Sequence, residues 1–336
     1  MISSTLNKQF SEVPEVVRRY INEKKKLSVF NKETWLEFGV SSEVERLYFS
    51  FLNEGKFVAF MSGFVKQDGL YGKIFILDPR KGGIFLTKGK DPESINFVIN
   101  EITKSCKNEG ISLLDLRYQF LDDPSFLGIL KENRFKIENS NVDLIAEIQN
   151  NFSDQRDGFS SSRKSELAQA IKNELVCKQI EDEVEYIDYF YPPYESSMKR
   201  KGVKPIEKES LLKMFQELKD DFLFTVVLKD EVPMAAVAFV KDEYSKSLYY
   251  YYSGVDLSFS KLRPMEMTIA WAFEWAIDNK YKYFNFMSTG SDIRSGVFKF
   301  KKQWGTFPGN CLSVQKPLTL KSKLIKLLLF LKSTFL

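Results

Sequence analysis

The sequence predicts an α/β (α+β) protein in which two mixed-sheet domains follow one another in tandem. The chain has 336 residues, more than the roughly 100–200 residues of one ordinary domain. Its hydrophobic content of 43% and charged content of 28% are typical of a globular protein and exclude a disordered or fibrous chain. Short β-rich runs alternate with helical patterns, and one order of elements occurs twice.

The first half is predicted to begin with three strands, which are followed by alternating helices and strands. A turn at 53–55 joins the first two strands, and Asp91 and Pro92 are the N-cap and first residue of a helix. We predict strands at Arg46–Leu52, Lys56–Val65, Lys73–Leu77, Ile111–Leu116 and Val142–Ile148, and helices at Asp91–Asn108 and Asp123–Asn133.

The second half repeats this order. Matching strand residues are 239 − 64 = 175 and 284 − 114 = 170 positions apart. We predict strands at Phe222–Leu228, Pro233–Val240, Ser247–Ser253, Lys282–Phe286 and Asn310–Val314, and helices at Pro264–Asn279 and Arg294–Gln303. The polar segment Asn150–Ser162 is a natural boundary, so we place the domains at 1–150 and 151–316, followed by a tail at 317–336.

The composition excludes several catalytic and metal-binding classes. The chain contains no histidine, so a Ser–His–Asp triad, a Cys–His pair and a histidine-based zinc site are impossible. Its three cysteines are far apart in sequence, which indicates a reducing compartment rather than a disulfide framework. The N-terminus lacks a signal-peptide pattern and no apolar run is long enough to span a bilayer, so we expect a cytoplasmic protein.

The tail has the pattern of a basic amphipathic helix. Its apolar residues recur at helical spacing, and its lysines fall mostly on the other side: Leu324, Leu327, Leu328, Leu331 and Phe335 against Lys321, Lys323, Lys326 and Lys332. Two interpretations stay open. Residues 318–336 lie on an anionic membrane surface, at the inner face of the cell membrane, or they pack on their own protein.

A motif near the end of the chain provides a resemblance. Residues 296–305 read Gly-x-Phe-x-Phe-Lys-x-x-Trp-Gly, which is similar to a signature of FemAB-like transferases and of their BioF-like acetyltransferase relatives. Three weaker pieces agree with it: Arg163, Ala170, Lys172 and Val176; the basic run Met198–Gly202; and Leu262–Pro264 before a helix. Together these pieces cover residues from about 160 to 316.

The resemblance implies a fold and an activity. FemAB-like proteins have two GNAT domains and transfer aminoacyl groups to cell-wall precursors. We therefore expect an N-acyltransferase that moves an acyl or aminoacyl group from a thioester or ester to a small-molecule amine, on a cell-envelope saccharide or peptide precursor. Two alternatives stay open: a transferase dependent on aminoacyl-tRNA, and hence a tRNA partner, or a non-catalytic binding protein that kept the fold.

The donor is left open by the sequence. We expect no bound cofactor and no metal, with acyl-CoA or aminoacyl-tRNA as the co-substrate. The stretch Arg263–Met267 contains none of the glycines with which GNAT acetyltransferases hold the coenzyme A pyrophosphate. Without them, backbone amides approach a pyrophosphate less closely. In the first half, Gln119 stands where FemAB-like proteins often have an acid.

Two residues are the predicted catalytic groups. Lys301 lies between aromatic residues, where its ammonium can stabilise an oxyanion; the alternative is an exposed lysine in a basic run. Tyr252 is the chosen phenol of the run Tyr249–Tyr252; the alternative is a core aromatic residue. Strand alternation places Tyr250 and Tyr252 on one face of the sheet.

Six further residues are the predicted substrate-binding groups. Two are the aromatic neighbours of the lysine, and four are arginines suited to bidentate contact with phosphate or carboxylate: Phe300, Trp304, Arg163, Arg200, Arg263 and Arg294. The alternative for each arginine is a solvated surface side chain. Asp292 is expected to be the N-cap of the helix that begins near Arg294.

Overall fold

A computed structural model describes residues 2–23, 28–37, 45–78, 83–87, 91–117, 124–290 and 292–334. The chain divides into two compact units: Met1–Ser140 together with Cys311–Leu336 form the first, and Asn141–Asn310 form the second. Each unit contains a sheet with parallel and antiparallel strands. The predicted α/β class is therefore confirmed.

The first unit is built mainly from the strands and helices of the N-terminal half of the chain. Asp91 is the N-cap of the long helix, as predicted, and its side chain accepts a hydrogen bond of 2.9 Å from the Ser94 amide. The elements are β1 Ile2–Asn7, α1 Glu15–Glu23, α2 Glu33–Glu37, β2 Glu45–Asn53, β3 Lys56–Asp68, β4 Gly72–Leu77, β5 Ile84–Thr87, α3 Pro92–Asn108, β6 Leu113–Arg117 and α4 Pro124–Glu132.

The second unit begins within the strand β7, Lys136–Glu147. Its elements are α5 Phe152–Asp157, α6 Ser161–Lys172, β8 Val176–Gln179, α7 Glu183–Glu185, α8 Tyr191–Arg200, α9 Lys208–Leu218, β9 Phe222–Lys229, β10 Val232–Asp242, β11 Ser247–Val255, α10 Pro264–Asp278, β12 Tyr283–Ser288 and α11 Gly296–Lys302. A π-helical turn at Tyr186–Phe190 joins α7 to α8. The chain ends with β13 Phe307–Pro317 and α12 Leu320–Thr334.

The closing strands set the bounds of the units. Residues 143–147 of β7 pair with β12, and residues 313–317 of β13 pair with β6. The unit boundaries therefore fall inside these two strands, at Ser140 and at Asn310, rather than at 150 and 316. The tail beyond 316 belongs to the first unit because β13 leads it there.

Each sheet supports its own core. In the first unit the strand order is β1-β2-β3-β4-β6-β13 with β5 on β3, and in the second it is β7-β12-β11-β10-β9-β8. Phe75 and Leu114 on the first sheet pack with Ile99 of α3, and all three are almost fully buried. Phe239 and Phe284 on the second sheet pack in the same way with residues of α10. This core positions the strand ends that form the candidate site.

Helix α12 begins at a reciprocal cap. The Ser322 amide donates to Thr319 Oγ1 at 3.2 Å, and the Thr319 amide donates to Ser322 Oγ at 3.1 Å. Ser322 is fully buried, and Lys326 forms an ion pair of 2.7 Å with Glu138. Within the part of the chain that the structure describes, no helix is long and apolar enough to cross a membrane.

Candidate active site

The candidate site is a gap between two parallel strands of the second unit. Strands β11 and β12 pair only from Ser247 with Tyr283 to Tyr249 with Asn285. Both strands continue beyond this point, to Val255 and to Ser288. We call the opening between residues 250–255 and residues 286–288 the strand gap. Its walls contain backbone groups without an inter-strand partner, which are available to a ligand or to side chains.

Both strands are irregular where they line the gap. On β11, Ala238 of β10 pairs with Tyr252 and Phe239 pairs with Tyr250, so Tyr251 forms a β-bulge. On β12, Met287 has a left-handed φ of 59°, and its amide donates to the Asn285 side chain at 2.7 Å. A left-handed conformation is uncommon for a residue with a side chain and often marks a functional position.

Lys301 lies on α11 and reaches the end of β12. The helix begins after Ser295, whose Oγ accepts a hydrogen bond of 3.1 Å from the Phe298 amide. Lys301 Nζ donates to the Phe286 carbonyl at 2.6 Å and to the Ser288 carbonyl at 3.0 Å, and the residue is 8% exposed. The ammonium satisfies two carbonyls that the irregular strand end leaves available. Lys301 is thus a buried residue at the strand gap and not an exposed member of a basic run.

Tyr250 is a phenol beside this lysine. Lys301 Nζ lies 5.8 Å from the centre of the Tyr250 ring, which also packs against Phe239 and Phe286. Burial raises the pKa of Tyr250 to about 12, although a hydrogen bond with Ser253 lowers it slightly. A phenol with such a pKa is neutral at physiological pH and serves as a proton donor rather than as a base.

Tyr252 packs against α8 instead. Its ring contacts Tyr194 of α8 at 6.1 Å between centroids and Tyr251 at 4.6 Å, and burial raises its pKa to about 12. The prediction that Tyr250 and Tyr252 share a face is wrong, because the bulge at Tyr251 adds one residue and breaks the two-residue alternation. The choice of Tyr252 rested on sequence spacing, and it is Tyr250 that lies next to Lys301.

Arg163 is a buried cation in the same part of the unit. Its guanidinium pairs with Glu266 and with Glu166 and lies 5.0 Å from the centre of the Phe300 ring. Both Arg163 and Glu266 are less than a tenth exposed. This guanidinium binds two carboxylates of its own chain and links α6 to α10, and contact of Arg163 with substrate stays a prediction.

The other three predicted arginines do not come together. Arg263 precedes α10 with a left-handed φ of 66°, and its Nη1 lies 3.4 Å from Glu166. Arg200 is exposed at the end of α8 and contacts Ser197. The Arg294 side chain is 90% exposed. The four arginines therefore do not form one cluster, and contact of each with substrate stays a prediction.

The aromatic residues of the motif differ in their surroundings. Trp304 is fully buried and packs against Phe159 and Phe286. It belongs to the core of the second unit, and its contact with substrate stays a prediction. Phe300 is half-buried and stays a candidate for substrate contact. The N-cap of α11 is Ser295, whereas Asp292 accepts a hydrogen bond of 2.8 Å from the Arg294 amide in the preceding turn.

The structure adds two residues to the candidate site. Tyr250 belongs to the run Tyr249–Tyr252 and lies beside Lys301 because of the bulge at Tyr251. Glu266 has one sequence signal, its position in the first turn of α10, since a carboxylate there complements the helix dipole. Among the described residues, no three Asp, Glu or Cys side chains lie together as a metal site requires.

Comparison with known proteins identifies this region. Residues 161–302, which contain the strand gap, match the family model described as "Acetyltransferase (GNAT) domain". This segment is similar to a GNAT acetyltransferase domain. The matched segment spans β8 to β12 together with α6 and α11, so Arg163, Tyr250 and Lys301 all belong to it. The predicted class of acyltransferase is confirmed at the level of this domain.

Solved structures extend the likeness to the whole chain as a fold. FemX is 13% identical, with a TM-score of 0.67 over 92% of this chain and 96% of FemX. A tandem GNAT protein from the clavulanic acid biosynthesis pathway is 8% identical, with a TM-score of 0.58 over 95% of this chain and 99% of that one.

A third structure is the C-terminal domain of a putative lysylphosphatidylglycerol synthetase from Agrobacterium fabrum. It is 12% identical, with a TM-score of 0.54 over 80% of this chain and 84% of that one. A search of curated proteins gave no match. The predicted resemblance to FemAB-like proteins and the predicted fold of two GNAT-like units are confirmed.

Proposed function

We propose that the second unit catalyses the transfer of an acyl or aminoacyl group from an activated ester or thioester to an amine. The observation that supports this proposal is the strand gap of a GNAT domain, with Lys301 fixing one wall and Tyr250 on the other. Such a gap provides backbone donors and acceptors that hold an acyl group in a fixed orientation, which is the main requirement of a direct transfer.

The residues at the gap allow direct transfer of the acyl group from the donor to the amine, without a covalent enzyme intermediate. The amine nitrogen attacks the acyl carbon, and a C–N bond forms while the C–S or C–O bond of the donor breaks. The leaving thiolate or alkoxide takes the proton of the neutral Tyr250 phenol. The phenolate then regains a proton from the ammonium that the attack created. Lys301 is a positioning residue in this scheme, because it holds the β12 carbonyls in place.

The start of α10 favours an aminoacyl ester over coenzyme A as the donor. A helix N-terminus with accessible amides is the usual place for a pyrophosphate. Here Glu266 is buried in the first turn of α10, and Arg263, which precedes the helix, lies near Glu166. Glu166 and Glu266 pair with Arg163 and Arg263, so the cations next to this helix end are already engaged and offer little to a pyrophosphate, which an aminoacyl ester does not need. The acceptor that we propose is an amine of a cell-envelope precursor.

The test is a set of transfer reactions with the purified full chain. The protein is incubated with labelled acetyl-CoA, a longer acyl-CoA or charged tRNA, each together with a panel of amines. The products are identified by mass spectrometry. We expect an amide product with charged tRNA. Product only with a CoA thioester would overturn the choice of donor. No product with any donor, together with tight binding of an amine, would favour a non-catalytic binding protein.

Two tyrosine variants test the site itself. Tyr250→Phe removes only a hydroxyl, and we expect turnover to fall by about 100-fold with little change in KM, as for loss of a general acid. Tyr252→Phe is the matched control, since its phenol has a similar pKa but faces α8, and turnover should stay within about twofold. The reverse pattern would return the catalytic role to Tyr252. Lys301→Ala is less informative because it also leaves two carbonyls without partners.

A further inference from the structure

The C-terminal helix α12 presents an apolar stripe that its own protein does not cover. The stripe consists of Leu320, Leu324, Leu327, Leu328 and Leu331, which recur at helical spacing and are between 41% and 74% exposed. The opposite side of the helix is the attached one, where Ser322 is fully buried and Lys326 pairs with Glu138. Packing on the first unit therefore does not account for the leucines.

A basic cavity of the first unit adjoins this stripe. Its volume is ≈ 930 Å³, and Leu327 and Phe330 of α12 form part of its lining. Seven cations line it, against the two carboxylates of Glu132 and Glu138: Lys104, Lys107, Arg134, Lys136, Lys316, Lys323 and Lys326. The cavity is thus strongly positive, and it shares residues with the apolar stripe.

The cations of the cavity are largely uncompensated. Among the residues that the structure describes, no carboxylate forms an ion pair with Lys107, Arg134, Lys136 or Lys323. Lys316 is half-buried, with its ammonium 3.3 Å from Thr103 Oγ1 and 5.2 Å from the centre of the Phe135 ring. Burial, together with the charges of Lys107 and Arg134, lowers the pKa of Lys316. Uncompensated positive charge of this kind attracts an anion such as a phosphate.

We propose that α12 and the basic cavity together dock the protein on an anionic membrane surface. The leucine stripe of α12 enters the boundary between headgroups and acyl chains, and the cavity binds the phosphate of an anionic phospholipid. A helix of 15 residues lies in the plane of the interface, because it is too short to cross a bilayer. The proposal is independent of the reaction proposed for the second unit.

Charge complementarity selects the membrane among the possible occupants of this surface. A second copy of the chain, related by a twofold axis, would bring the same positive cavity close to itself, and the like charges would repel. A free phosphate ion would satisfy the cavity but leave the leucine stripe in water. A nucleic acid would likewise satisfy the charges and not the stripe. Only an anionic lipid surface provides both phosphates and hydrocarbon.

The experiment measures co-sedimentation of the full chain with lipid vesicles. We expect binding to vesicles that contain phosphatidylglycerol and much weaker binding to vesicles of phosphatidylcholine alone, with a decrease as sodium chloride is raised. Equal binding to both vesicles, or none to either, would overturn the proposal. Binding of inorganic phosphate to the protein, measured by calorimetry, without binding to either kind of vesicle would show a site for free phosphate and would also overturn it.

Two double variants separate the stripe from the cavity. Leu324→Ser with Leu328→Ser, and Lys107→Glu with Arg134→Glu, should each weaken vesicle binding by about tenfold or more. The matched controls lie in the second unit: Ile171→Ser with Val184→Ser, which are also exposed, and Lys213→Glu with Lys219→Glu on α9 and at its end. Both controls should bind as the unaltered protein does. Equal losses in the controls would contradict the proposal.

Light scattering and tRNA binding complete the test. If the unaltered chain is a dimer that the leucine variant dissociates, without any change in vesicle binding, the stripe is a subunit interface and the proposal fails. If the charge-reversal variant loses affinity for uncharged tRNA but keeps its affinity for vesicles, the cavity binds nucleic acid and the proposal also fails. Neither result depends on acyltransferase activity, so failure of docking and failure of the proposed reaction are distinguishable.

Discussion

At the scale of single residues, the second unit contains charged side chains that are buried and have partners. Arg163 lies between two carboxylates and the ring of Phe300, and Lys301 lies between two backbone carbonyls. A buried charge with partners is tolerated, but the loss of one partner leaves the other without compensation. Lys301 and Arg163 therefore contribute to the fold of the domain as well as to its site.

The first prediction concerns Arg163. Arg163→Met should lower the free energy of unfolding by about 3 kcal/mol, because Glu266 would stay buried without its cation. Arg294→Met is the control: that side chain is 90% exposed, so the free energy of unfolding should not change. Urea unfolding of both variants measures the difference. Equal stability of the two variants would show that the buried pair contributes nothing.

The motif around Lys301 predicted its position among aromatic residues, whereas the faces of the tyrosines were predicted wrongly. Lys301 was selected because aromatic residues flank it, and these residues do lie in or beside the core. Tyr250 and Tyr252 could not be distinguished, because a β-bulge has no reliable sequence signature in a run of four tyrosines. One inserted residue changes which phenol faces Lys301.

At the scale of elements, α8 packs unusually close to β11. Pro192 and Pro193 cannot donate backbone hydrogen bonds, and the turn before them at Tyr186–Phe190 is π-helical. The close contact is at Gly254 of β11, where a Cβ atom would overlap the backbone of Pro193 and Tyr194. Gly254 lies in the strand gap, so this approach fixes one wall of the candidate site.

The second prediction concerns the close packing of α8 on β11 at Gly254. Gly254→Ala should lower the free energy of unfolding by about 2 kcal/mol or more, because backbone must move to accommodate the methyl group. It should also reduce transfer activity, since β11 forms a wall of the gap. Gly296→Ala is the matched control: a methyl group there would have no neighbouring atom within 4 Å, and alanine favours a helix. A stable, active Gly254→Ala variant would contradict the packing.

At the scale of the whole molecule, buried tyrosines make stability depend on alkaline pH. Burial raises the pKa values of Tyr250 and Tyr252 to about 12, and it also raises those of Tyr186 and Tyr281. In the unfolded chain a tyrosine has a pKa of about 10. All four phenols belong to the second unit, so they should make the stability of this unit fall at alkaline pH.

The third prediction follows from the sign of these shifts. Below pH of about 10 both states hold the phenolic proton; above it the unfolded state loses the proton first, so stability falls as pH rises towards 12. We expect Tyr250 and Tyr252 each to contribute a loss of about 2 kcal/mol across this window. Urea unfolding at several pH values measures it. The double variant Tyr250→Phe with Tyr252→Phe should lose less free energy of unfolding between pH of about 10 and 12. If its stability falls with pH as steeply as that of the unaltered protein, these two tyrosines are not the cause.

The sequence by itself determined the class of the fold, the order of the main strands and helices, and the motif at Lys301, because hydrophobic periodicity, capping residues and short motifs are local. Only the tertiary structure decided the phenol beside Lys301, the partners of Arg163, the core position of Trp304 and the unit to which the tail belongs. These depend on a bulge, on helix contacts and on which strand pairs with β13. Such properties arise from long-range hydrogen bonds and packing between residues that are far apart along the chain.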